Sequence, residues 1–282
     1  MKIQNSFTSD VATLYIVPTP IGNLLEMNPR AIEILKMVDY IACEDTRTTK
    51  ILLDHFNINT TTIAHHSHNQ EASINGILNL LANNCNIALV SDAGYPLISD
   101  PGNMLVNAVI NSGYYVTSVS GPSATLNALV VSGLVTQPFC FYGFLPTKQK
   151  QIIKILENIK NNPMTYIFYI SVHDLFNHLN IIYKCLGDCQ VALVREMTKK
   201  FEQILRGNLS ELLEYDITLK GEFVLVLHIN NNSNTVDNDS MVLEIKEMIK
   251  KDCYKKEIIK YIVDKYKVNK NYVYDIINDL EV

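Results

Sequence analysis

No window of this sequence approaches the roughly 20 apolar residues that a membrane-spanning helix needs. The richest run, 128–135, is interrupted by Ser132 and Gly133, so a helical membrane protein is excluded. The first twelve residues, MKIQNSFTSDVA, mix polar and acidic groups without an apolar stretch of leader length. Secretion is therefore not expected, and a cytoplasmic location is. Paired cysteines are also missing. Cys43, Cys85, Cys140, Cys185, Cys189 and Cys253 are scattered with no C-x-x-C, and read as reduced thiols. Only Cys185 and Cys189 approach metal-ligand spacing, and no second pair completes four ligands, so no metal is expected. Positive charge is not in excess: 24 Lys and Arg face 29 Asp and Glu, a net charge of -5. That excludes a protein that coats nucleic acid nonspecifically by neutralising phosphates over its whole surface. Finally, there is neither a G-x-G-x-x-G fingerprint nor a G-K-[ST] loop ending, which disfavours a dinucleotide-binding dehydrogenase and a P-loop ATPase.

What is present is length and hydrophobicity: 282 residues, 48% hydrophobic and 19% charged, are enough for two domains with their own cores. Short β-branched runs at 13–17, 40–43, 61–64, 87–90 and 115–119 alternate with segments such as 29–37 and 70–82, whose apolar residues recur at three- and four-residue spacing. The fold class is α/β. Asn28 before Pro29 is a helix start, since Asn can cap free amides and Pro suits the first helical position. Further strands are expected at 139–141, 165–169, 190–194 and 222–228. The expected organisation is an N-terminal tail, 1–12, a first α/β domain, 13–132, and a second, 133–229. A polar linker, NNNSNTVDNDS at 230–240, has almost nothing to bury and leads into a helical appendage, 241–282, resembling a helix-turn-helix around 267–269. Its Lys250, Lys251, Lys255, Lys256, Lys260, Lys265, Lys267 and Lys270 outnumber the acids in that stretch; a solvated helix face accounts for such a run equally well.

Ligands of open α/β sheets bind beyond the carboxyl ends of the strands. PTPIGN, 18–23, follows the first strand, and EDTRT, 44–48, follows the second. Glu44 and Asp45 there suit a helix first turn, and equally a polar substrate. SDAGYPLISDPG, 91–102, places Asp92 and Asp100 around a turn rich in Gly and Pro that lets backbone groups approach a ligand. SGPSATLNAL follows the fifth strand and opens a helix at Ser123. Singly each turn reads as structural; together, on one sheet edge, they indicate a small-molecule pocket.

LYIVPTPIGNL, EDTR, ALVSDAGYPLISDPG, SGPSATLNAL, FYGFLP, REMTKKFE, Arg206-Gly207 and KGEFVLVL occur in order from about residue 13 to 228. In these motifs the chain resembles the small-subunit ribosomal RNA branch of the tetrapyrrole-methylase family. The resemblance implies two α/β domains with S-adenosyl-L-methionine in the cleft between them, and a homodimer. It also implies methyl transfer to the 2'-hydroxyl of a cytidine in the 16S rRNA of the small ribosomal subunit. By the same analogy Pro20, Asp92, Ala93, Ser123, Ala124, Ser171, Glu222 and Phe223 are cofactor residues. Glu44, Asp100 and Lys199 are candidates to assist the hydroxyl, with Asn23 and Arg47 orienting it; spacing does not choose among them. Arg30, Arg47, Arg195, Lys199, Lys200 and Arg206 could contact RNA phosphates, or form ordinary surface ion pairs.

The chain departs from the family pattern at Ile170, usually Glu, at Asp174, usually Arg, and at Tyr95, usually Thr. The first two could remove a buried ion pair jointly or impair the cleft. His65, His66 and His68 form an H-H-x-H cluster, but in a family that needs no metal a surface or inter-domain role is expected. Two other functions stay open: methylation of a tetrapyrrole, because fold does not fix substrate, and a noncatalytic RNA-binding ribosome-assembly factor.

Overall fold

The computed structural model describes residues 3–6, 11–66, 70–230, 238–251, 253–266 and 270–280. The first five strands, β1 (Thr13–Ile16), β2 (Tyr40–Cys43), β3 (Thr61–Ala64), β4 (Ile87–Val90) and β5 (Tyr115–Ser118), form one sheet in the order β3-β2-β4-β1-β5. All its pairings are parallel. Residues of β1 and β4 are buried throughout, because helices cover both faces of the sheet. The helices after β1 and β2, α1 (Pro29–Met37) and α2 (Thr46–His55), pack on one face through Ala31, Ile34, Leu35 and Leu53. Those after β3 and β4, α3 (Gln70–Ala82) and α4 (Asn103–Asn111), pack on the other through Ile74, Ile77, Leu81, Leu105 and Val109. Beside β4 the connections therefore diverge to opposite faces, opening the crevice in which open α/β sheets bind ligands. The loops after β1, β2 and β4 meet there. Helix starts follow from local chemistry: the Asn28 side chain accepts from Arg30 N at 2.8 Å with Pro29 next to it, and Asp45 accepts from Arg47 N at 2.8 Å.

The second sheet has the order β6-β7-β10-β8-β9, built from β6 (Phe139–Phe144), β7 (Thr165–Ile170), β8 (Gln190–Arg195), β9 (Gln203–Asn208) and β10 (Phe223–His228). Only β6 and β7 run parallel, joined over α6 (Gln149–Ile159). One face is covered by α6, α7 (Leu175–Leu186) and α8 (Leu209–Glu214), through Ile152, Leu156, Leu175, Leu179 and Leu212. The other is covered by α5 (Ala124–Val131), whose Ala128 and Leu129 pack on Ile167, Ala192, Val194, Val224 and Val226. The α5 helix thus follows the last strand of the first sheet and completes the core of the second. Arg206 on β9 fixes its far end by donating from Nε and Nη2 to the Val131 carbonyl at 2.9 and 2.6 Å.

Strand β9 has no counterpart in the sequence reading, since QILRGN carries Arg and Gly and takes its conformation from antiparallel pairing with β8. Three helices, α9 (Asn238–Lys250), α10 (Lys255–Tyr266) and α11 (Lys270–Leu280), form the C-terminal unit. Its core of Met241, Ile245, Ile258, Ile259, Ile262, Val273 and Ile277 draws on no residue of either sheet. The helix pair read around 267–269 thus has a further helix, α9, before it; the connection itself and residues 231–237 of the polar run lie outside the described residues.

Candidate functional site

Three loops of the first domain are locked into one platform. Thr19 and Gly94 exchange backbone hydrogen bonds of 2.9 and 3.0 Å, Thr19 Oγ1 donates to the Ser91 carbonyl at 3.0 Å, and Ser91 Oγ donates to the Gly94 carbonyl at 3.1 Å. The Tyr95 hydroxyl accepts from Gly121 N at 2.9 Å, tying the loop after β4 to the loop after β5. Gly121 has no room for a side chain, because a Cβ there would fall inside the ring of Pro18. Leu97 and Ser99 hold left-handed backbone, with φ of 73° and 69°. Conformations of that kind cost about 1–3 kcal/mol each for residues with side chains, and they cluster at functional sites.

This platform and the second sheet enclose a cleft of about 480 Å³. From the first domain come Ile21, Ala93 to Tyr95, Ile98 to Asp100, Ser123 and Ala124; from the second come Phe144, Tyr169 to His173, Val194, Met197 and Gly221 to Val224. Of the residues expected at the cofactor, Ala93, Ser123, Ala124, Ser171, Glu222 and Phe223 line it. Pro20 and Asp92 line an adjoining groove with Gly22, Leu24 and Ile51. Asp92 also borders a third hollow, with Glu44, Asp45, Arg47 and His66.

Besides Glu222, the main cleft is lined by one acid of the first domain, Asp100. Burial, then the charges of Glu44 and Asp92, push its carboxyl up to about 6, against a smaller lowering by the Ser91 hydroxyl. Asp92 is raised by burial and by Asp45, whereas Asp45 is held down at about 2 by hydrogen bonds from Arg47. Across the cleft the Tyr169 hydroxyl meets Thr125 Oγ1 at 2.9 Å; burial raises its pKa, and Asp100 raises it further.

The remaining candidates separate. Glu44 borders the acidic hollow rather than the main cleft. Asn23 caps the short 3-10 turn Leu24–Glu26, accepting from Leu25 N at 3.1 Å. Lys199 reaches Glu196 and Glu222 at 2.9 and 2.8 Å; burial would lower its pKa, but these two carboxylates outweigh it and raise it. Arg47 pairs with Asp45 at 2.9 Å while its side chain stays 90% exposed. Arg195 donates to the Lys220 carbonyl at 2.6 Å and Arg206 is committed to Val131. Lys200 lies 5.6 Å from the Phe201 ring centroid, and Arg30 is exposed at the start of α1. Ile170 is buried in the apolar core beside Leu175 and Phe223, so the wall at this point carries no charge. His65 shares a 3.0 Å hydrogen bond with Ser73 through Nδ1, and His68 lies outside the described residues.

Sequence reasoning missed Tyr169, Met197, Phe144 and His173. Tyr169 is indistinguishable from any aromatic strand residue until β7 is seen to end at the cleft. Backbone-rich turns, two carboxylates and apolar walls from Ile21, Ile98, Phe144, Val172 and Met197 suit a ligand that combines an amino acid, a sulfonium and an adenine.

Residues 13–213 match the family of tetrapyrrole (corrin/porphyrin) methylases. The ribosomal RNA small subunit methyltransferase I of Bacillus subtilis (strain 168) is 43% identical over 286 residues, 98% of each chain. The protein of the same name from Escherichia coli O157:H7 is 45% identical over 232 residues, covering 80% of this chain and 81% of its own. Among solved structures, a diphthine synthase superimposes with a TM-score of 0.62 at 12% identity, covering 77% of this chain and 90% of that one. Uroporphyrin-III-C-methyltransferase from Thermus thermophilus gives 0.54 at 15%, covering 77% and 94%. These two likenesses carry the fold alone, and agree with two α/β domains facing one cleft. The family's methyl donor is S-adenosylmethionine, which the cleft residues suit. By sequence over almost its whole length, the chain belongs to the tetrapyrrole-methylase family, in its ribosomal RNA small subunit methyltransferase I branch.

Proposed function

We propose that this chain methylates the 2'-hydroxyl of a cytidine in the 16S rRNA of the small ribosomal subunit. The reading takes the enzyme as a cytoplasmic homodimer in which residues 13–132 and 133–229 form the domains flanking the cleft, with α5 at the end of the first packed on the sheet of the second. The single observation that carries the chemistry is Asp100, a partly buried carboxyl raised to about 6 in a cleft otherwise walled largely by apolar groups and backbone.

When bound, the cofactor supplies an electrophilic methyl group on a positive sulfur. Everything else falls to the protein. Turn backbone at 93–95 and 121–123 and the start of α5 orient polar groups, while Ile21, Ile98 and Phe144 keep water from the reacting line. A ribose hydroxyl is a poor nucleophile at neutral pH, so a proton acceptor at the cleft assists it. Asp100 is ionised at pH 7, yet more basic than an ordinary aspartate, because burial, and then the charges of Glu44 and Asp92, disfavour its anion. Lys199 is unsuited to accept that proton, because two carboxylates hold its ammonium. Pro20, Asp92, Ala93, Ser123, Ala124, Ser171, Glu222 and Phe223 remain the proposed cofactor residues. Arg30, Arg47, Arg195, Lys200 and Arg206 are the proposed phosphate contacts, of which Arg195 and Arg206 also donate to the Lys220 and Val131 carbonyls.

The test is incorporation of labelled methyl from S-adenosylmethionine into small ribosomal subunits lacking 2'-O-methylation, with the labelled nucleotide mapped. Label on one cytidine ribose is expected. Label on a base, on a tetrapyrrole alone, or on nothing despite cofactor binding contradicts the reading.

A further inference from the structure

The two sides of the cleft meet at a contact between Lys199 and Gly22. The turn after β8, residues 196–202, is a tight knot. Glu196 N donates to the Glu222 carbonyl at 3.0 Å, Glu222 N returns a 3.1 Å bond to Glu196 Oε1, and Thr198 N donates to Glu202 Oε2 at 2.6 Å. Glu196 and Thr198 both adopt left-handed backbone, with φ of 51° and 67°. Gly221 lies so close that a Cβ on it would overlap the Glu196 carboxylate. From this knot Lys199 does two things. Its ammonium bridges Glu196 and Glu222, at 2.9 and 2.8 Å, and Glu222 is on the cleft wall. Its aliphatic stem crosses to the first domain and lies on Gly22, in the loop after β1, where a Cβ would overlap Lys199 Cγ. The next residue back along that loop, Ile21, lines the cleft from the opposite side.

We propose that Lys199 is a positioning residue for methyl transfer: its stem, seated on the bare face of Gly22, spaces the two walls of the cleft, while its ammonium holds Glu222 at the cofactor. The proposal rests on the reading of the cleft as the methyl-transfer site. Without the ammonium, Glu196 and Glu222 would repel one another, and Glu222, whose side chain is 79% exposed, would be free to turn into solvent. Without the stem, the two loops would lose the contact that fixes their separation. An in-line transfer tolerates such a change poorly, since a displacement of about 1 Å can cost about 100-fold in rate.

Four variants, each checked for folding by thermal melting, separate the two parts: Gly22→Ala, Lys199→Ala, the double variant, and Lys199→Met, which keeps the stem and drops the charge. Cofactor affinity is measured by calorimetry and kcat on small ribosomal subunits. Gly22→Ala is expected to lower kcat by about 100-fold with a smaller effect on cofactor affinity. Lys199→Met is expected to weaken cofactor binding about tenfold while keeping more of kcat than Lys199→Ala. The deciding result is the double variant. Truncating Lys199 removes the atoms that crowd the new methyl most, so Gly22→Ala should cost clearly less in Lys199→Ala than in the wild type, the remainder being backbone strain at φ of 154° and the Thr198 hydroxyl at 3.1 Å. Additive losses in the double variant would overturn the proposal, as would Lys199→Met and Lys199→Ala that match in both constants. The second comparison still applies if Gly22→Ala does not fold. Wild-type protein that bound no S-adenosylmethionine would overturn the underlying reading, and the proposal with it; wild type that binds it with additive variants overturns the proposal alone.

Discussion

The two walls of the cleft are built by opposite means. The first domain offers a parallel sheet whose loops bring Glu44, Asp45, Asp92 and Asp100 to one edge, and it holds them with backbone pairs, a tyrosine hydroxyl and a glycine pressed on proline. The second offers a mixed sheet whose contribution is largely apolar, with its carboxylates neutralised through Lys199. Burial first, then the charges of Glu44 and Asp92, raise Asp100. Neutralised carboxylates give a fixed wall. On the proposed function, the first domain would supply the reacting group and the second its registration.

The largest expected effect breaks the reactive wall. Asp100→Asn keeps size and hydrogen bonding but cannot take a proton at neutral pH, and should lower the single-turnover rate by about 100- to 10,000-fold with cofactor affinity nearly unchanged. Quenched-flow kinetics beside calorimetry checks this. Next is the tie between loops. Tyr95→Phe removes the acceptor for Gly121 N and should weaken cofactor binding by about five- to tenfold, the worth of about one hydrogen bond, with kcat less affected. Equal losses in both constants would mean that the hydroxyl also serves the reaction.

A third prediction concerns the core behind the apolar wall. His178 is 3% exposed, and among the described residues neither ring nitrogen has a hydrogen-bond partner. Burial lowers its pKa, with Asp174 opposing. An unfolded chain takes up a proton here below about pH 6.5 that the folded chain refuses, so stability is lost as pH falls through that value. His178→Leu should raise stability by about 1–2 kcal/mol and reduce this acid sensitivity, as measured by denaturant unfolding on both sides of that pH. The smallest effect is at the rim. Arg47→Ala should leave cofactor affinity within about twofold and reduce the salt dependence of subunit binding by about one ion.

Much of this was legible in the sequence because short parallel strands carry a plain signal: 13–17, 40–43, 61–64 and 87–90 coincide with β1 to β4 almost residue for residue. Turn chemistry marked the loops that line the cleft as well, since Gly and Pro mark sharp turns. Other features depend on partners distant in the chain. β9 is a strand only because β8 pairs with it, and α5 covers the second sheet although it follows the first. The role of Tyr95 needed Gly121 to be located, and that of Lys199 needed Gly22. Lys199 and Asp100 are alike as titratable residues in motifs; geometry separates them, one bound by two carboxylates and the other crowded by two.

The central claim, that the acidic wall supplies the proton acceptor, is tested most directly by the pH dependence of kcat/KM for S-adenosylmethionine, which reports the groups of the cofactor-free enzyme. The account predicts a kcat/KM that rises with pH around a midpoint near 6 and levels above it, the value set on Asp100 by burial, Glu44 and Asp92. In Asp100→Asn that rise should vanish along with most of kcat/KM. The same midpoint in both proteins would contradict the account and move the proton to another group.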